Sequence, residues 1–271
     1  KNRMAGSILS QTLNQSGKLA PDLDHPEDLK NLAAAIIKLR KDSQLLAYHD
    51  RSDGGLLACV AEMAFASHVG ISINVDMIAV DAGQEPDHGD AKNWAQQVSG
   101  RRHEQTMRAL FNEELGAVIQ VRRDDRDAVF ATLRNLGLSA YSHVIGKPNT
   151  NGRIEIWRDA KNIFAEPREV LQKMWTNTSY QIARMRDNPE CADSEFALLD
   201  NLSDPGLSPK LTFDLADDIS APYLNKNARP KVAVLREQGV NSHVEMAYAV
   251  NWAGFDSFDV HMSDLLTGKA K

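Results

Sequence analysis

The chain has 271 residues, 42% of them hydrophobic and 25% charged, and a formal net charge of -6. That length holds one large domain or two modest ones with a buried core, and the acid excess excludes the broad basic face that nucleic acid requires. Cys59 and Cys191 form neither a disulfide framework nor a metal-binding cysteine cluster, no run reaches the ~18 apolar residues of a membrane span, and no secretory signal opens the chain, so a cytoplasmic protein is expected.

The chain opens with KNRMAGSILS rather than an initiator Met and closes at TGKAK after a strand-like segment, so a piece of a longer protein is expected. KNRMAGS reads either as a phosphate-facing loop before a helix or as a disordered stub. Leu29, Leu32, Ala33, Ile36 and Ile37 recur at helical spacing and predict a helix over 27–41. Pro26 suits its first position, with His25 or Asp24 as cap. A short strand is expected over 45–49. A helix over 55–68 follows, with Leu56, Val60, Met63 and Ala64 on one face. Gly70 is the expected left-handed stop beyond it. ISINV, 71–75, alternates as a strand does.

Residues 81–104 are polar and read as a loop or insertion. LGAVIQVR, 115–122, predicts a strand. DDRDAVFATLRNLGL predicts a helix capped by Asp124 or Asp125 and closed by Gly137. YSHVIG and RIEIWR predict two strands joined by the turn-rich KPNTNG. A long helix is expected from Glu166 to Arg186, ended by Pro189. Val170, Leu171, Met174, Trp175, Ile182 and Met185 give it an apolar stripe, whose Trp and Met residues are assigned to a core or an interface, not to a cofactor. Residues 187–229 read as a linker by composition. KVAVL, then REQGVNS, then HVEMAYAVNWAG closed by Gly254, then FDSFDV, read as the opening βαβ of a doubly wound parallel sheet. The expected class is therefore α/β (mixed), with α+β character in the first part.

The stretch most open to chemistry is HDRSDGG, 49–55, where a strand turns through two glycines into a helix. Backbone N–H groups and a helix dipole at that point favour phosphate. A carboxylate beside phosphate needs a bridging cation, and Mg²⁺ takes such oxygens. Asp53, just before the glycines, is the expected helix cap. Asp50 is left to face a metal, and Ser52 to offer its hydroxyl to phosphate or ribose. Arg51 faces either phosphate or solvent. The plain alternative is an Asx-type turn with a helix cap. His49 is either a base or a hydrogen-bonded structural histidine. Asn112, Glu113 and Glu114 either form a substrate-facing cluster or stand as acids in water. Gln238, Gly239 and Asn241, at the carboxyl end of KVAVL, are placed where such folds bind ligands. The Cys or Ser nucleophile of a triad is not found beside them.

Taken in order, YHDRSDGGLLACVAEMAFA, LFNEELGAVIQV, RDNPECAD, RPKVAVLREQGVNSHVEMAYA and VHMSDLLTG resemble the large, single-chain phosphoribosylformylglycinamidine synthase family of bacterial purine synthesis. The resemblance spans nearly the whole chain and breaks over 81–104. It implies an aminoimidazole-ribotide-synthetase C-terminal-like α+β domain over 1–165 and a helix and linker over 166–229. It also implies the start of a flavodoxin-like class I glutamine amidotransferase domain over 230–271. Asp50 matches a magnesium-ligand position of that family and Ser52 an ATP-binding position. The implied cofactors are ATP or ADP and Mg²⁺, at a site thought in the family to hold its nucleotide without turning it over. The implied reaction is ATP- and glutamine-dependent conversion of formylglycinamide ribonucleotide to the amidine. The implied partners are the remaining synthetase and glutaminase parts of the parent chain, with no nucleic acid and no membrane. A fragment without those parts is expected to be inactive. The alternative is a non-catalytic nucleotide-binding or domain-interface module of another ATP-dependent synthetase.

Overall fold

A computed structural model describes residues 1–79, 94–219, 221–224 and 228–270. The chain is mixed α/β and divides into two compact units, Lys1–Asp204 and Pro205–Lys271.

The first unit runs α1 (Ile8–Thr12), α2 (Pro26–Lys41), β1 (Ala47–Asp50), α3 (Gly55–Ser67), β2 (Gly70–Asn74) and α4 (Trp94–Phe111). It continues with β3 (Ala117–Gln120), α5 (Arg126–Asn135), β4 (Gly146–Asn149), β5 (Arg153–Arg158), β6 (Lys161–Pro167), α6 (Arg168–Arg186) and α7 (Pro189–Leu198). β1 and β3 pair antiparallel, with Asp50 opposite Ala117. The other four strands lie in the order β4-β2-β5-β6.

α3 is apolar nearly all round, which is the signature of a helix covered on several sides. Its Leu56 and Val60 pack with Ile73, Val75, Leu110 and Ile156, while Ala61, Ala64 and Phe65 pack on Ile154. α2 and α5 form a separate core through Ala35, Leu39, Val129 and Leu133, to which Leu45, Ile119 and Val121 add partly buried side chains. β3, the partner of β1, thus gives Val118 to the first core and Ile119 to the second.

Several expectations are corrected. Residues 94–104, expected in a loop, are the first turns of α4; the earlier part of that stretch, 81–93, lies outside the described residues. α4 buries Thr106, Ala109 and Leu110, and at mid-helix the part-buried Arg102 donates to the Ala79 carbonyl and pairs with Asp76 and Asp159. The apolar periodicity is diluted there. His68, with φ of 53°, is the left-handed residue that closes α3. Gly70 instead opens β2, where a Cβ would come within 2.6 Å of the Arg153 backbone.

YSHVIG is not a strand: residues Ser139–Tyr141 form a 3₁₀ turn and β4 begins only at Gly146. β4 and β5 form no hairpin either, because β2 lies between them, antiparallel to β4 and parallel to β5. The hairpin partner of β5 is β6, a strand that was not expected and that takes Glu166 and Pro167 from the expected start of the following helix. Its two-residue turn, Asp159-Ala160, has both φ values positive, 50° and 57°. Such turns favour Asn-Gly or Asp-Gly, and alanine concealed this one.

Pro189 does not end a helix; it starts α7, at the first position, with the Asn188 side chain accepting the Glu190 and Cys191 N–H groups. Part of the expected linker thus folds back on α6. Tyr180 stacks on Phe196 at 4.1 Å between centroids, and Asp193 accepts from the Tyr180 hydroxyl and from Arg184.

The second unit contains α8 (Ala221–Leu224), β7 (Lys231–Arg236), α9 (His243–Trp252), β8 (Asp256–His261) and α10 (Met262–Leu266). β7 and β8 pair in parallel, Lys231 opposite Asp256, as the expected βαβ requires. Among the described residues no helix is long and apolar enough to cross a membrane.

The Asn188 cap is testable. Helix caps of this kind stabilise by about 1 kcal/mol, so Asn188→Ala is expected to speed amide exchange across α7 about fivefold, leaving the core strands unchanged, in a hydrogen-exchange comparison.

Candidate functional site

The backbone from His49 to Gly55 is fixed at nearly every step. The Arg51 N–H donates to the Gly116 carbonyl at 2.9 Å, and its guanidinium donates to the Glu114 and Leu115 carbonyls at 2.8 and 2.9 Å. Arg51 therefore clasps the turn into β3; it faces neither phosphate nor solvent, the two expected alternatives. The Gly55 N–H closes a turn onto the Ser52 carbonyl at 3.0 Å. Gly54 and Gly55 take φ of 83° and 71°, which glycine reaches without steric cost. At Gly55 a Cβ would lie 2.7 Å from the Asn112 carbonyl oxygen, so α3 starts pressed against the end of α4.

Asp53 does not cap α3. Gly54 occupies the cap position and no side chain of the cap residue bonds there. The carboxylate that serves this helix end comes from another part of the chain: Glu113 Oε1 accepts the Gly54 N–H and the Ile8 N–H, both at 2.9 Å. A negative group suits the positive end of the helix dipole. The phosphate cradle expected at the glycines is thus filled by the protein's own carboxylate, which would repel a second anion.

Neither reading of the 112–114 run holds. Asn112 is fully buried; its amide donates to the Arg108 and Ala109 carbonyls and to Asn2 Oδ1, and its oxygen accepts the Glu114 N–H. Glu114 is buried and accepts from Arg3 Nε at 2.7 Å, Arg3 Nη2 at 2.8 Å and the Arg3 backbone N–H at 3.1 Å. Burial acts to raise the Glu114 carboxyl, and the Arg3 hydrogen bonds outweigh it and hold it below the usual carboxylate range. KNRMAGS is accordingly neither a stub nor a phosphate loop: it is tied down through Arg3 and Asn2, Ala5 pairs with the Leu19 carbonyl, and Ser7 is buried as the cap of α1.

Asp50 and Ser52 are both exposed, and among the described residues neither side chain makes a hydrogen bond or ion pair. They are two oxygen donors on a backbone held by others. His49 is structural: Nδ1 lies 2.7 Å from the Asp50 carbonyl oxygen and Nε2 lies 2.7 Å from Glu62 Oε2. Burial acts to lower the imidazole, and these two bonds with the nearby acids raise it on balance. Cys59, buried beneath the strand, has its thiol pushed up to about 12, chiefly by burial, and is no nucleophile.

A groove of about 320 Å³ lies beside the loop, lined by α1, α3, α6 and the Phe111 and Phe164 rings. It touches Gly54 but neither Asp50 nor Ser52. Trp175 forms part of its wall, tilted against Phe65 at 5.7 Å, while Met174 and Met185 stay exposed. In the second unit Gln238, Gly239 and Asn241 stand exposed between β7 and α9, and Gly239 takes φ of 78°. Among the described residues no group of three His, Cys, Asp or Glu side chains could by itself hold a metal.

Two outcomes test this geometry. Asn112→Ala strands several buried partners and is expected to cost about 1–3 kcal/mol, read as a lower urea midpoint. For Glu114 the folded value lies below the unfolded one, so its contribution is present above about pH 4.5 and fades as pH falls through the folded value. The gap in urea midpoint between the wild type and Glu114→Gln is expected to narrow from about pH 6 to about pH 3.

Comparison with known proteins agrees with this architecture. Residues 4–158 match the AIR synthase related protein, C-terminal domain. Residues 229–271 match the CobB/CobQ-like glutamine amidotransferase domain. Among solved structures, T. maritima PurL complexed with ATP is 15% identical with a TM-score of 0.42, over 62% of this chain and 24% of that one. T. maritima PurL complexed with FGAR is 15% identical at 0.40, over 52% and 20%. E. coli HypE, a hydrogenase maturation protein, is 21% identical at 0.39, over 61% and 48%. The chain thus spans less than a quarter of the length of either PurL chain. Likeness of that degree carries no assignment, whereas the domain match covers more than half of the sequence. On that match, the chain belongs to the AIR synthase related protein family, whose C-terminal domain occupies residues 4–158.

Proposed function

We propose that this chain is part of a phosphoribosylformylglycinamidine synthase of the large single-chain type, an ATP-dependent carbon–nitrogen ligase with glutamine as amide donor. The observation that carries the reading is the succession, in one chain, of an AIR synthase C-terminal domain at 4–158 and a match to a glutamine amidotransferase domain at 229–271. The resemblance of HDRSDGG and REQGVNSHVEMAYA to that family supports it. The whole protein would convert formylglycinamide ribonucleotide to the amidine: ATP phosphorylates the formamide oxygen, and ammonia from glutamine displaces the phosphate. The chain described here would supply one nucleotide site and the beginning of the glutaminase, and would be inactive by itself.

Within that reading Asp50 is the magnesium ligand and Ser52 the nucleotide contact. The donor set fits: both are oxygen ligands, exposed and unengaged. Mg²⁺ is commonly held by one or two carboxylates together with phosphate oxygens and water, so a lone Asp50 suffices where a cage of three acids is absent. The metal, when bound, would neutralise phosphate charge. Asp50 would orient it, and Ser52 would donate its hydroxyl to a phosphate or ribose oxygen. Arg51 and Glu113 would keep the loop from rearranging. Because Glu113 fills the α3 terminus, the phosphates would be held from the Asp50–Ser52 side and not by the glycine N–H groups.

Isothermal titration of ADP tests this. Binding is expected only with Mg²⁺ present. Charge-assisted contacts contribute about 1.5–3 kcal/mol, so Asp50→Ala is expected to weaken binding at least about tenfold, and Ser52→Ala less. Binding indifferent to Asp50→Ala would remove the metal assignment.

A further inference from the structure

Glu62 is the only charged residue within α3, a helix otherwise built of apolar and small side chains. A carboxylate there loses hydration and must recover it in hydrogen bonds. It does so on both oxygens: Oε2 lies 2.7 Å from His49 Nε2, and Oε1 accepts the Trp175 indole N–H at 2.9 Å. The His49 ring carries the connection onward, with Nδ1 2.7 Å from the Asp50 carbonyl oxygen. An unbroken line of hydrogen bonds therefore runs from the peptide of Asp50, through two side chains, to a residue of α6.

Packing alone does not call for this carboxylate. Glu62 lines the same apolar groove as Phe65 and Trp175, where a leucine would suit the surroundings better. What the carboxylate adds is direction: two bonds that fix a ring on β1 and an indole on α6. The amide side of the same strand end is secured separately, by Arg51 N–H on the Gly116 carbonyl. The Asp50–Arg51 peptide is thus held from both faces while the Asp50 side chain points free.

We infer that Glu62 is a positioning residue for the strand end that carries Asp50, fixing the Asp50 peptide through His49 and tying it to α6 through Trp175. The inference rests on, and deepens, the reading of Asp50 and Ser52 as a metal–phosphate site. A ligand that orders Asp50 orders the whole line, so its binding is felt at the Trp175 indole.

The test uses the full 271-residue chain and three variants, Glu62→Leu, Glu62→Gln and Trp175→Phe, the last identifying the Trp175 indole N–H resonance. Glutamine keeps an oxygen for Trp175 and an amide facing His49, so it is the rescue. Without ligand, the Arg51 amide is expected to exchange about tenfold faster in Glu62→Leu and at the wild-type rate in Glu62→Gln. With Mg²⁺ and ADP, the wild-type indole resonance is expected to shift. Glu62→Leu should bind about tenfold more weakly with no shift, and Glu62→Gln within about threefold of the wild type. Unchanged Arg51 exchange in a folded Glu62→Leu protein overturns the positioning role, as does nucleotide binding that leaves the Trp175 indole silent. Absence of any nucleotide binding to the wild type defeats the proposed function instead, and the ligand-free exchange then decides the role of Glu62.

Discussion

The geometry of the loop after β1 depends on where the carboxylate of Glu113 sits. Two successive glycines with positive φ start α3 against the last carbonyls of α4, so two helix ends meet at van der Waals distance. A helix start leaves backbone N–H groups without partners, and the local candidate for satisfying them, Asp53, makes no bond to them. Glu113, 59 residues downstream of Gly54, reaches in and satisfies that N–H and the one at Ile8 together. Its two neighbours divide the remaining work: Asn112 closes the end of α4, and Glu114 anchors the start of the chain through Arg3. Three consecutive polar residues thus join α1, α3, α4 and β3.

That arrangement shapes what the loop can do. With Arg51 bound to carbonyls and the glycine turn internally satisfied, the side chains of Asp50, Ser52 and Asp53 are left exposed, and Asp50 and Ser52 are the two read as ligand contacts. They are presented by a backbone that has little freedom to relax, which lowers the ordering cost of binding. Glu113 occupies the Gly54 N–H at the start of α3, so an anion approaching there meets a carboxylate. On the proposed reading, an anion here would be held by a metal on Asp50 and by hydroxyl donation from Ser52.

The aromatic groove and the hydrogen-bonded line from Asp50 to Trp175 share one wall of α3. The helix presents apolar positions to two cores and uses its single acid to bind the elements on either side. Mechanical connection between the loop and α6 follows from that one side chain, since α6 otherwise reaches α3 through apolar contacts such as Leu171.

Residue order alone determined the long periodic elements: α2, α3, α5, α6 and the parallel βαβ of the second unit, because their apolar spacing is a local property. It also singled out Asp50 and Ser52, since a strand ending in acids and glycines is visible without coordinates. The tertiary structure decided what local pattern does not encode. Strand β2 inserts between β4 and β5, a pairing across more than seventy residues. The turn at Asp159-Ala160 carries no glycine to announce it, and α4 runs through Gln96, Gln97, Ser99, Gly100, Arg101 and Arg102, which interrupt its apolar spacing. Above all, the partner of Gly54 is Glu113 and the partner of Glu114 is Arg3. Such contacts join groups distant along the chain, so only the folded backbone shows which buried N–H meets which carboxylate.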